Sequence, residues 1–234
     1  MKKSTNLIVG IFLTLIFYGM GIFVSKIISF KSDFFPKSFI THSTMLLFSI
    51  IGIVYFSKNS YFSFQFKKLR FKYYFIGVLI AIAGFIIAQI LATLFLTIFG
   101  FEIDPSGRGH TGIEEMSSLQ FFVFIFIYAS ICEEFLFRGF TQNFLMPLNT
   151  IRFNISKNVY LSLPVILSGV LFGLAHLILL NTETSGPMIF RIVIMTWIGG
   201  TIAGYFQEKH QNILPAIIVH MTLNLPGLLM SFIL

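Results

Sequence analysis

Residues 73–99 read YYFIGVLIAIAGFIIAQILATLFLTIF, 27 positions without one charged side chain. Roughly 20 apolar residues in a helix suffice to cross the hydrocarbon core of a bilayer, so this stretch predicts a transmembrane helix with length to spare. Outward from it, comparable runs lie at 7–28, 39–56, 119–146, 160–180, 188–206 and 213–234. The fold class this implies is all-α, a polytopic integral membrane bundle of about seven helices. An eighth would arise only if the 73–99 run were broken or re-entrant.

Composition agrees. Of 234 residues, 56% are hydrophobic and only 11% charged, against about 25% charged in a soluble domain. Nine acidic and sixteen basic residues cannot cover a water-exposed surface of this size. That excludes a soluble enzyme, a nucleic-acid binder and a disordered regulator. The net charge of +7 fits Lys/Arg-rich cytoplasmic loops. One cysteine, Cys132, excludes an intramolecular disulfide and a four-cysteine metal site. Apolar runs fill the chain, so 1–234 reads as a single integral-membrane domain with its motif-bearing core at about 117–234.

The first run follows Lys2 and Lys3. It is long for a signal-peptide core and lacks a small-x-small cleavage site, so a retained anchor is expected. The clearly polar loops are 57–72, 102–118 and 207–212. With seven spans and the N-terminus inside, inner loops carry ten Lys/Arg and outer loops five, Arg138 being intramembrane. The positive-inside rule then favours a cytoplasmic N-terminus, with Glu102, Asp104, Glu114 and Glu115 as an outer solvated acidic loop. A short, loop-poor chain of this kind points to a bacterial plasma membrane.

Ionisable residues inside spans are costly and mark function by default. Three spans carry them: Cys132-Glu133-Glu134-Phe135-Leu136-Phe137-Arg138-Gly139, then Phe172-Gly173-Leu174-Ala175-His176, then His220-Met221-Thr222-Leu223-Asn224. Residues four apart share a helix face and adjacent ones diverge by about 100°. Glu134 therefore stacks on Arg138, while Glu133 is left without a local cation. His220 and Asn224 share one face, and Gly169 and Gly173 permit close helix approach beside His176.

A carboxylate, two imidazoles and an amide in a low-dielectric cavity make a hydrolytic set. The carboxylate can act as general base on water, with His176 orienting it. His220 and Asn224 can donate to the oxyanion formed when water attacks an amide carbonyl. Other roles exist for each residue alone: a membrane Glu can be an ion site in a transporter, and a lone His or Asn can bond helices together. His42, His110 and His210 have no companions in the sequence, and His42 reads as a satisfied span-end residue. Trp197 lies too deep for an interface anchor and reads as packing. A non-enzymatic transporter, bacteriocin-immunity protein or regulatory scaffold would use the same residues structurally. A transporter should show paired broken helices or internal repeats, and none is seen.

Together the three motifs resemble the CPBP family of intramembrane proteases, also called the Abi or type II CAAX prenyl endopeptidase family. That family has Glu-Glu-x-x-x-Arg, Phe-x-x-x-His and His-x-x-x-Asn on three membrane helices in this order. Here they are Glu133-Glu134…Arg138, Phe172…His176 and His220…Asn224, and Arg138-Gly139 fits the usual extension of the first. The resemblance covers about 121–226.

It implies a glutamate-dependent endopeptidase cleaving at or within the membrane. Glu133 would activate water, His176 would assist, and His220 with Asn224 would hold the oxyanion. Glu134 and Arg138 complete the set, and Phe172 would meet substrate. The partners implied are a peptide or protein substrate that reaches the membrane, lipidated in the family's name, together with membrane lipids and no nucleic acid.

The family is often labelled metalloprotease, and a Glu/His/His set can bind zinc. The His-Glu-x-x-His zinc motif is absent, however. Each candidate ligand also has a sufficient acid–base or oxyanion role, so a mechanism without metal is expected. Other intramembrane protease classes fail. Asp33 and Asp104 both sit in loops, and Ser168-Gly169 lacks a rhomboid serine pattern.

Overall fold

The computed structural model describes residues 3–28, 30, 34–59, 61–62, 64–101, 116–182 and 184–233. Asp33, Glu183 and the acidic loop with Glu102, Asp104, Arg108, His110, Glu114 and Glu115 lie outside the described residues. Among those described, six helices are long and apolar enough to cross a membrane, and a shorter apolar helix follows them. They are α1 (Lys3–Ile27), α2 (Lys37–Phe56), α3 (Phe71–Ile98), α4 (Ser118–Gln142), α5 (Leu163–Asn181), α6 (Gly186–His210) and, the shorter one, α7 (Leu214–Met230). The polytopic all-α bundle is as expected.

The deciding run forms α3 without a break over 28 residues, so no eighth span arises there. This helix is apolar all round, and residue size rather than polarity selects its inner face. Gly77, Ala81, Gly84, Ala88 and Ala92 are buried, while Leu79, Ile86, Ile87 and Leu94 stay exposed. Where lipid is as apolar as leucine, small residues let helices approach. A Cβ on Gly84 would stand 2.3 Å from Ile202 of α6. Gly169 and Gly173 serve the same purpose between α5 and α6, against Thr201 and Trp197.

One boundary differs. The 160–180 run does not begin as a helix. Arg152–Ser156 (β1) and Val159–Ser162 (β2) form an antiparallel hairpin, with Phe153 opposite Leu161 and Asn154 opposite Tyr160. Helix α5 starts only at Leu163, where Ser162 accepts from the Val165 N–H and Pro164 occupies the first turn. Ser162 also donates to Glu208 at 2.5 Å, fastening the hairpin to α6.

Helix α4 carries the first motif and is irregular. Two π-helical stretches, Phe121–Ala129 and Phe135–Gln142, flank a single α-helical segment, Ser130–Glu134. Wide turns of this kind gather at functional sites because they re-aim side chains. Side chains engage the carbonyls around them. Thr141 donates five residues back to Leu136 O at 2.9 Å, and Asn143 Nδ2 reaches the Arg138 and Gly139 carbonyls at 3.1 and 2.9 Å. Gln142 locks the end of α4 to α6, donating to Gly204 O and to Gln207 Oε1, both at 2.9 Å. The buried core beside this helix is aromatic, with Phe137, Phe140, Phe144 and Phe172 packed on Met45 and Ile53 of α2.

Candidate active site

Helices α2, α4, α5 and α7 bring the ionisable residues of the spans together. The lower layer is buried. Glu134 and Arg138 are both fully buried, and Arg138 Nη1 donates to Glu134 Oε1 at 2.8 Å. That is the pairing expected from their spacing of four. The guanidinium lies over the Phe172 ring, 4.6 Å from its centroid, a favourable cation–π position. Gly200 of α6 closes the layer, since a Cβ there would stand 2.4 Å from Arg138 Nη2.

His220 joins the layers. Its Nδ1–H donates to Glu134 Oε1 at 2.9 Å, and its Nε2 stands 3.7 Å from Glu133 Oε2. Glu134 thus serves both Arg138 and His220, a second partner that the wheel argument did not include. Oxygen Oε2 of Glu134 and the Nε and Nη2 of Arg138 have no hydrogen-bond partner among the described residues.

Glu133 forms the upper layer and keeps 16% of its side chain exposed, unlike Glu134 at 0%. It has no cation on its own helix, as expected. Its partner comes from α2 instead. His42 Nε2 lies 2.9 Å from Glu133 Oε1, across 91 residues of sequence. His42 is therefore no isolated span-end residue. A histidine with nothing at four-residue spacing gave no signal; only the packing of α2 on α4 reveals it.

His176 sits in α5 where the helix tightens into 3-10 turns over His176–Asn181. The His176 backbone N–H turns to the Gly173 and Leu174 carbonyls, so the side chain can take the Phe172 carbonyl, with Nδ1–H donating at 3.0 Å. A carbonyl only accepts, so Nδ1 carries the hydrogen and Nε2 is the other ring nitrogen, left for chemistry. His176 lies close enough to Glu133 for their charges to interact. Phe172, expected to meet substrate, is 1% exposed and packs against Arg138, His176 and His220. Burial there makes it a wall of the site. Asn224 Nδ2 donates to Ser130 Oγ at 3.1 Å, another α4 partner that spacing did not show. Tyr18 of α1 completes the surroundings, donating to Ala175 O at 2.7 Å within electrostatic reach of Glu133.

Residues 115–226 match the family model described as type II CAAX prenyl endopeptidase Rce1-like. Over this stretch, just under half of the chain, the protein is similar to the type II CAAX prenyl endopeptidase family. No curated protein and no solved structure matches the chain. The similarity supports, in general terms, a CAAX-type intramembrane endopeptidase, a hydrolase. All three motifs of the CAAX prenyl endopeptidase family fall inside the matched residues, while His42 and Tyr18 fall outside them. Among the described residues, no three His, Cys, Asp or Glu side chains are arranged to hold a metal ion. His42 Nε2 is hydrogen-bonded to Glu133 Oε1, His220 Nε2 stands 3.7 Å from Glu133 Oε2, and His220 Nδ1 and His176 Nδ1 are committed to Glu134 and to the Phe172 carbonyl.

Proposed function

We propose that the protein hydrolyses a peptide bond at or within the membrane, with Glu133 as general base. The observation that carries this reading is the contrast between adjacent glutamates. Glu134 is sealed in an ion pair, whereas Glu133 is partly exposed and faced by two imidazoles. A gap of 3.7 Å between Glu133 Oε2 and His220 Nε2 is too long for a direct hydrogen bond. A water about 2.8 Å from each atom fits beside it.

In the reaction, Glu133 Oε2 takes a proton from this water as its oxygen bonds to the scissile carbonyl carbon. The carbonyl electron pair moves to oxygen, and His220 with the Asn224 amide stabilises the charge that develops. As the C–N bond breaks, the proton held by Glu133 passes to the leaving nitrogen, and a carboxylic acid and an amine depart. His176, with Nδ1–H tied to Phe172 O, offers Nε2 to the attacking water. No step is routed through a metal.

The substrate that the family resemblance suggests is a prenylated Cys-a-a-X C-terminus, presented to a chain whose N-terminus we place in the cytoplasm. The test is purified protein in detergent with an internally quenched, farnesylated Cys-a-a-X peptide beside its non-prenylated twin. Cleavage of the farnesylated peptide at one bond, read by mass spectrometry and unchanged after dialysis against a zinc chelator, supports the reading. Absence of any cleavage product contradicts the assigned substrate class, and chelator-sensitive cleavage contradicts the metal-free step.

A further inference from the structure

We propose that His42 is a positioning residue for Glu133, fixing which carboxylate oxygen meets the water. The inference rests on the general-base reading of Glu133 but uses a part of the chain that the family match does not reach. His42 is itself held in place. Its Nδ1 lies 2.7 Å from Ser38 O, one turn back on α2. That carbonyl can only accept, so Nδ1 carries a hydrogen and the ring cannot swing without losing the bond. The other nitrogen, Nε2, faces Glu133 Oε1 at 2.9 Å. One proton lies on that line and pins Oε1; when it rests on nitrogen, Glu133 is the carboxylate that the base role needs.

The consequence is an unequal carboxylate. Oε1 is occupied by His42, while Oε2, at 3.7 Å from His220 Nε2, remains for the water. Glu133, in the α-helical segment between the two π-helical stretches, is 16% exposed and has no cation on its own helix to hold its carboxylate. His42, 12% exposed in its side chain, is shielded from water enough for the contact to persist. The ring is reinforced on its own helix, where the next residue, Ser43, bonds Tyr128 OH of α4 at 2.8 Å. Two successive residues of α2 thus hold α4, at Glu133 and at Tyr128 before it.

The test compares His42→Leu, which fills the space but cannot bond, with His42→Gln, whose amide reaches the same oxygen. In the farnesylated-peptide assay His42→Leu should lower kcat about tenfold, the worth of a hydrogen bond to a charged group, with KM little changed. His42→Gln should restore most of the loss.

A second measurement needs no turnover. Dicyclohexylcarbodiimide adds across a free carboxylic O–H, the hydrogen passing to its nitrogen and the carboxyl oxygen to its central carbon. Labelling of Glu133, read by peptide mass spectrometry, should quicken in His42→Leu and return toward the wild-type rate in His42→Gln. Buried Glu134 serves as the internal reference. Equal labelling in wild type and His42→Leu, or kcat and KM that fall alike in both variants, would overturn the proposal. If the peptide is never cleaved, the protease reading fails while labelling still decides the His42 contact.

Discussion

Glu134 and His220, 86 residues apart in sequence, are joined by a 2.9 Å hydrogen bond from Nδ1–H to Oε1. The same oxygen accepts from Arg138 at 2.8 Å. A buried ion pair therefore orients the imidazole that faces Glu133.

Glu134→Gln leaves the buried Arg138 guanidinium without its counter-charge. Removing one partner of a buried pair costs about 3–5 kcal/mol. The variant should unfold at clearly lower temperature in detergent. Because His220 also loses its orienting carboxylate, the fraction that remains folded should cleave more slowly than wild type. Thermal unfolding and kcat measured on the same preparation check both effects.

Gly200→Ala tests the floor of the site. The added Cβ would meet Arg138 Nη2 at 2.4 Å and Phe172 Cδ1 at 2.9 Å. Neither neighbour can retreat, since both are fully buried. Overpacking of this kind costs about 1–3 kcal/mol. Reduced stability and reduced activity are expected together, whereas Gly19→Ala, with open space around its Cβ, should be neutral in the same assays.

Much of this site was legible in the sequence because membranes make charge scarce. Glu134 and Arg138 could be paired by helical spacing alone, and the same rule left Glu133 free. The seven apolar runs marked the helices for the same reason. What stayed hidden depends on how helices pack. His42 meets Glu133 across 91 residues, and Asn224 meets Ser130 across 94, without any periodic signal. The π-helical turns of α4 have no local sequence mark either. At 160–162 Tyr-Leu-Ser reads equally well as helix or strand, and pairing with Arg152–Asn154 decided for strand.

Asn224→Ala removes the amide assigned to the oxyanion. Loss of one such donor costs about 10²–10³ in kcat, and that fall is expected with little change in KM. Ser130→Ala deletes only the hydroxyl that holds Asn224 at 3.1 Å, so its loss should be smaller and in the same direction. Steady-state kinetics of the two variants decide the order; equal losses would move the essential role from Asn224 to the pair.

The account rests on Glu133, and the most direct measurement is the turnover of Glu133→Gln. The amide keeps the size of the carboxylate and can still bond His42, but it cannot take a proton from water. The account predicts a folded protein, with wild-type thermal unfolding within error, that yields no cleavage product from the farnesylated peptide. Undiminished cleavage by this variant would contradict it.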